Sequence, residues 1–340
     1  MHTFIDETGS FSGFGIPKSL SLIGALVVPG TRLAKLEKAY LKRRVDLPKH
    51  NGEVKGRLLD EAQILSLTRL LRENSAIFKA TAVDFAYHSE AGLTTFKKGQ
   101  AEKITGGLTD EHEEALKKQM WEFRRRFESY SLPLVVQTIL TFQFLPAVLE
   151  MSMMYFSTRR PQELGAFHWV VDAKGNMDTP IDWENWWSKM VLPFTETRGY
   201  SKPLRELPIG DYSHMKRFET PITPFQRKMA RRKEDDNRPA YNLKMIFDED
   251  FKFSKEPVPG LELVDIVTNA TRRALVGNLR KEGWNEIPTL MIHQNPQYID
   301  FSILGADPMP KDKVPYADVE KHFRSGGRIM LPAELRNKDW

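Results

Sequence analysis

Phe4-Ile5-Asp6-Glu7-Thr8-Gly9-Ser10 decides how this chain is read. A short apolar strand delivers Asp6 and Glu7 into a Thr-Gly-Ser turn, with Gly9 and Gly13 among the turn residues. A second strand follows, Ser21-Leu22-Ile23-Gly24-Ala25-Leu26-Val27-Val28. A carboxylate at the end of a buried strand, backed by a tight turn, is a common way to hold a divalent metal. Its natural counterpart is the late segment Gly260-Leu261-Glu262-Leu263-Val264-Asp265.

The chain has 340 residues, of which 41% are hydrophobic, 28% charged and 11% aromatic, the composition of an ordinary globular protein. It has no cysteine, which excludes disulfides, thiolate zinc sites and a cysteine nucleophile together. A metal would therefore sit on oxygen or imidazole, which points to Mg²⁺ or Mn²⁺. We read no apolar run near the length of a membrane span and no targeting segment, so the expectation is a cytoplasmic protein without a membrane partner. The formal net charge is +5 and suits a polyanionic partner. Basic residues gather at Arg124-Arg125-Arg126 and in 216–232, which includes Lys216, Arg217, Arg227, Lys228, Arg231 and Arg232. Such runs are usually solvated helix faces; they are also the candidates for phosphate contacts.

Outward from the first two strands, 31–44 and 58–74 carry helical periodicity, and 77–88 alternates like a strand. Residues 90–165 read as mainly helical. An acidic start and a basic later part suit a helix over 110–130, and the apolar stretch 132–156 suits the core. Phe167 to Asp172 is a β-branched strand ending in a carboxylate. Trp183, Trp186 and Trp187 follow at helical spacing, where core packing outweighs a stacking platform for bases. Prolines and charges make 201–240 a long basic loop, strand character resumes over 241–253, and 260–283 is a helix. The last part, 284–340, reads as an extension of short strands and turns.

Four acids recur in order: Asp6, Glu53, Asp172 and Asp265. Two ions about 3.5–4 Å apart need several carboxylates from different elements to activate water and stabilise the leaving oxygen in phosphodiester hydrolysis. Each acid also has a plain structural role. Asp6 and Asp172 suit turns, and Glu53 suits a surface loop. Asp265 is harder to dismiss, because it stands among apolar helix residues where an unpaired carboxylate is costly.

In these segments the chain resembles the family catalogued as domain of unknown function 3800, a ribonuclease H-like group. The matching residues are Asp6-Glu7-Thr8-Gly9, Glu53-Val54-Lys55-Gly56, Ser254-Lys255 and Gly260 to Asp265. Thr8, Glu262 and Val264 stand where that pattern has Ser, Gln and Ala. The resemblance implies an α/β fold with a ribonuclease H-like mixed sheet flanked by helices over 1–283, with a helical insertion at 90–165 and a C-terminal extension. It implies a metal-dependent nuclease acting on DNA or RNA, with Asp6, Asp172 and Asp265 as ligands. Glu53 would be a ligand or position the water, and Lys55 would orient that water or offset phosphate charge. A role against foreign nucleic acid, and a partner protein or homo-oligomer, belong to the same expectation.

Three other readings compete. Asp46 before Glu53-Val54-Lys55 imitates restriction-type nucleases, but Pro48, Asn51, Gly52 and Gly56 argue for a loop there. An actin- or sugar-kinase-like ATPase would need a late glycine pair in an apolar setting, and Gly326-Gly327 lies beyond the apparent core. A non-catalytic nucleic-acid- or protein-binding module would keep the fold without the chemistry.

Overall fold

Strand β1 (His2–Thr8) is flanked on both sides. Strand β2 (Leu20–Val28) pairs with it antiparallel, Asp6 opposite Gly24, and β3 (Ile77–Asp84) continues antiparallel on β2 with Asp84 opposite Leu20. On the other side β4 (His168–Asp172) runs parallel to β1, and β5 (Phe251–Ser254) runs parallel to β4. A short strand, β6 (Ile299–Phe301), lies parallel to β3, which completes the order β6-β3-β2-β1-β4-β5. The computed structural model describes residues 1–110, 112–173, 183–195, 204–222, 227, 240–254, 256–293, 298–305 and 314–336.

All nine residues of β2 are buried, because both faces of the sheet are covered. Alternation along the strands sorts the side chains between two cores. Phe4, Leu22, Leu26, Phe78 and Ala80 face helices α1 (Gly30–Arg44) and α2 (Glu61–Glu73). Ile5, Ile23, Val27, Ile77 and Val83 face α3 (Glu90–Thr105), α4 (Glu114–Ser129) and α5 (Leu132–Ser157). Helix α6 (Pro259–Leu275) lies on the first face, directly on β1 and β2. Small residues permit that approach: a Cβ on Gly24 would stand 2.0 Å from Thr268 Oγ1, and one on Gly260 would stand 2.3 Å from the Phe4 ring.

Several expectations need correction. The stretch 132–157 forms one 26-residue helix, long and apolar enough to cross a membrane, so an apolar run of that length does exist. Neither Pro133 in its first turn nor Pro146 inside breaks it, and 67% of its most apolar window is buried against the rest of the protein. Residues Lys49–His50 and Glu53–Val54 form a two-residue hairpin rather than a loop. Asn51 and Gly52 take the left-handed backbone (φ 50° and 82°) that a tight hairpin turn demands. The expected strand over 241–253 is a helix first, Leu243–Asp248, capped by Asn242 accepting from Met245 N–H, and only then β5. The late helix stops at Leu275, where Gly277 turns the chain with φ 80°. The C-terminal extension contributes β6 to the main sheet and a helix, α7 (Ala317–Gly326), whose Phe323 is buried in the α6-side core.

Candidate functional site

The site begins at the end of β1. Because side chains alternate, Asp6 points to the α6 face with Phe4, while Glu7 points to the other and accepts from Gln137 Nε2 of α5 at 2.7 Å. Asp6 is only 8% exposed, and its Oδ1 accepts the Glu7 N–H at 2.7 Å. Ile5 pairs with Val171, which makes Asp6 and Asp172 the next residues on adjacent parallel strands. Asp172 is half-buried.

Helix α6 brings Asp265 over Asp6, and their carboxyls are in hydrogen-bond contact. Burial pushes the Asp265 carboxyl above the ordinary carboxylate range; the Gly56 N–H, Lys55 and Asp6 pull the other way without prevailing. Gly56 N–H donates to Asp265 Oδ2 at 2.7 Å. A Cβ on Gly56 would lie 2.8 Å from Ile266 Cα, so only glycine lets this segment approach α6 so closely.

The hairpin carries the remaining candidates. Lys55 Nζ lies 2.5 Å from Glu53 Oε2, so the structure pairs Glu53 with lysine rather than with the buried acids. Burial alone would lower the Lys55 ammonium, but Glu53, then Asp265 and Asp172, hold it above its ordinary value. Lys55 is thus the cation held by three of the four acids.

Sequence reasoning missed two residues. Glu262 is 3% exposed and is the hub that fixes the hairpin. It accepts from Tyr40 OH at 2.8 Å, Arg44 Nε at 2.6 Å, Arg44 Nη2 at 2.7 Å and Val54 N–H at 2.8 Å. Those bonds outweigh burial and hold its carboxyl below the ordinary range. The signal was present: a second carboxylate on an apolar helix face raises the same question as Asp265. Asn269 lies one turn beyond Asp265 and donates to Thr8 Oγ1 at 3.3 Å. Its Oδ1 is buried with no hydrogen-bond partner among the described residues.

The donor set fits a hard divalent cation. It is all oxygen: the Asp6 and Asp265 carboxylates in contact, and the orphaned Asn269 carbonyl one helical turn away. Two carboxylates held together repel unless a proton or cation lies between them. Mg²⁺ needs only one or two protein carboxylates when waters and substrate phosphates complete its octahedron. Among the described residues, no three His, Cys, Asp or Glu side chains are grouped so as to hold a metal ion, so Asp6, Glu53, Asp172 and Asp265 do not close into the expected four-acid cluster. Those two acids and Asn269 would therefore hold the ion from one side.

The basic clusters divide. Arg124 binds Glu128 and Thr105 Oγ1 (2.8 and 2.9 Å) and stacks over Trp121, while Arg126 binds Glu122. Arg125 between them is exposed. Lys216 is exposed, and Arg217 pairs with Glu249. Arg227 is half-buried; Lys228, Arg231 and Arg232 lie outside the described residues, as does Lys255. Trp186 and Trp187 are core residues, Trp186 donating to Thr138 Oγ1 and Trp187 packed on Phe251 and Phe253, so neither offers a stacking platform. The side chain of Trp183 also lies outside the described residues. His50 and Asp46 are exposed.

No protein-family model, curated protein or solved structure matches the chain.

Proposed function

We propose that the chain is a divalent-metal-dependent nuclease, using Mg²⁺ or Mn²⁺ to hydrolyse phosphodiester bonds of DNA or RNA in the cytosol. The observation that carries this reading is the buried contact of Asp6 with Asp265, bordered by Lys55 and the orphaned Asn269 carbonyl. Catalytic sites gather groups whose environments displace their titration, and burial displaces Asp265 in this way. The sheet supports a ribonuclease H-like assignment. Its first three strands are antiparallel neighbours in order, and β4 and β5 are added parallel on the far side of β1. The resemblance to domain of unknown function 3800 agrees with it.

Bound divalent ions would supply an activated water and charge neutralisation at the phosphate. The chain's own groups do the rest. Asp6 and Asp265 hold the ion side of the site, and Asp172 extends the acidic edge on the neighbouring strand. Lys55 places a positive charge where a phosphate oxygen approaches these acids. Glu53, held by Lys55, would align the attacking water. Glu262 and Gly56 keep the Glu53–Lys55 segment against α6. Arg125 and Lys216 are exposed charges suited to the backbone of the substrate, and foreign nucleic acid is the substrate class we favour.

The test is cleavage of single-stranded DNA, duplex DNA, RNA and RNA–DNA hybrid by wild type, Asp6→Ala and Asp265→Ala, each with Mg²⁺, Mn²⁺ and EDTA. Metal-dependent cutting lost in both variants supports the assignment. Cutting that survives both substitutions rejects the assigned site, and no cutting on any substrate favours a nucleic-acid- or protein-binding module.

A further inference from the structure

A concavity lies on the same face of the sheet as the acid pair, beyond the C-terminal end of α6. It has a volume of about 520 Å³, within the range of small-molecule pockets. Its lining includes Leu275, Lys18, Tyr87, Tyr316 and Asp84. Leu275 is ten residues along α6 from Asp265, a rise of about 15 Å, so the pocket is separate from the acid pair.

The chemistry of the lining is specific. Asp84 is only 8% exposed, at the last position of β3, on the face that carries Ala80 and Ala82. Its Oδ1 accepts the Ala86 N–H at 3.0 Å, and it also bonds the Tyr316 side chain. A carboxylate offers about four acceptor sites, so these bonds leave capacity for a ligand. The groups around it are rigid. The Tyr316 ring is stacked on Phe301, 4.7 Å between centroids and 4° from parallel. His88 is fixed beneath, bonding the Asp84 carbonyl at 2.8 Å through Nδ1 and accepting the Leu304 N–H at 3.0 Å through Nε2. Lys18, exposed, supplies positive charge at the rim.

A buried carboxylate with two tyrosines in the same lining suits a planar ring that donates two adjacent N–H groups. A lysine at the rim suits a phosphate attached to that ring. Guanine has this edge, with its ring N–H beside its exocyclic amine; adenine lacks the ring N–H, and hypoxanthine lacks the amine. We propose that this pocket binds a guanine nucleotide, the Asp84 carboxylate accepting from the base and Lys18 facing the phosphate. The guanine is either a free nucleotide or an unstacked base at the end of a strand, since bases taken out of a stack are read by aromatic contact and edge hydrogen bonds. The proposal does not depend on the nuclease reading.

The experiment is calorimetric titration of the full chain in EDTA, where no cleavage occurs. The probes are GMP, IMP, AMP and short oligonucleotides ending in G or A. We expect one saturable site with GMP preferred over IMP and AMP by at least about tenfold, the discrimination of a good paired contact to a base edge. Asp84→Asn should erase that preference while circular dichroism and melting show an intact fold; Lys18→Ala should weaken GMP but not guanosine. Binding of G-ended strands without binding of GMP assigns the pocket to strand ends, and the reverse assigns it to the free nucleotide. Failure of both GMP and G-ended strands, equal affinity for AMP, or unchanged preference in Asp84→Asn overturns the proposal.

Discussion

Glu262 and Asp265, three residues apart on α6, hold the same short segment by two of its backbone N–H groups: Glu262 takes Val54 and Asp265 takes Gly56. Lys55 lies between those two bonds. Arg273 extends the clamp, donating to the carbonyls of Gly56 at 3.1 Å and Leu59 at 2.8 Å. One helix face therefore both presents an acid of the site and fixes the backbone that carries its lysine.

Glu262→Gln should lower stability at neutral pH by about 3 kcal/mol, the lower end for disrupting a buried ion pair because Arg44 keeps some contact with water. The folded-state carboxyl titrates below its ordinary value of 4.5, so its stabilising contribution is complete above that value. It is lost as the pH falls through the lower folded value. Melting curves of wild type and variant should be well separated at pH 7 and converge in acid below 4.5. A gap independent of pH would show that the charge of Glu262 contributes nothing.

Asp265→Asn should do the opposite in EDTA. Burial raises this carboxyl above its ordinary value of 3.8, so its contribution is favourable below that value and is lost as the pH rises through the folded one. Burial disfavours the charged form, and the amide should stabilise by about 0.5–2 kcal/mol once the pH has risen through the folded value. Millimolar Mg²⁺ should stabilise wild type, by about 2.7 kcal/mol at one hundred times its Kd, and so raise its melting temperature while leaving the variant unmoved. Cleavage should disappear in the variant. A variant less stable than wild type in EDTA would remove the argument.

Gly56→Ala places a methyl 2.8 Å from the Ile266 backbone, which cannot yield as a side-chain tip does. The expected cost is about 1–3 kcal/mol of stability. Displacing Lys55 should also reduce kcat more than substrate affinity. Denaturant unfolding and steady-state kinetics check the two effects separately.

Arg124 and Arg125 should separate structure from binding. Arg125→Ala should reduce the slope of log affinity for nucleic acid against log salt by about 1 and leave stability unchanged. Arg124→Ala breaks contacts to Glu128 and Thr105 and should loosen the α3–α4 pair instead. Titrations at several salt concentrations, with melting curves, distinguish the two.

The parts of the fold legible in the sequence were those with long apolar patterns: β1 to β3, the helices of 90–157, and Asp265 as a charge in an apolar setting. The hairpin was misread because each strand has only two residues, too few for periodicity to register. Its evidence lay in Asn51-Gly52 alone, read as a loop signal between Pro48 and Gly56. Leu243–Asp248 has six residues, a length at which apolar runs do not distinguish strand from helix, and the cap at Asn242 was the deciding cue. Strand β6 has three residues and gains its place only by pairing with β3, which no local pattern announces. The pairing of Glu53 with Lys55 likewise depends on the turn geometry.

The contact between Gly56 and Asp265 spans 209 residues of sequence. At the ~5–20 residues per second of protein synthesis, the hairpin exists about 10–40 s before its acid partner is made. Asp6, on the first strand, waits longer still. A ribosome therefore carries a nascent chain whose acids cannot yet meet, beside RNA that is one of the two substrate classes of the proposed nuclease. For the proposed nuclease, the order of elements along the chain would work as a safety delay: Asp6 and Asp265 meet only after α6 has been made and has docked.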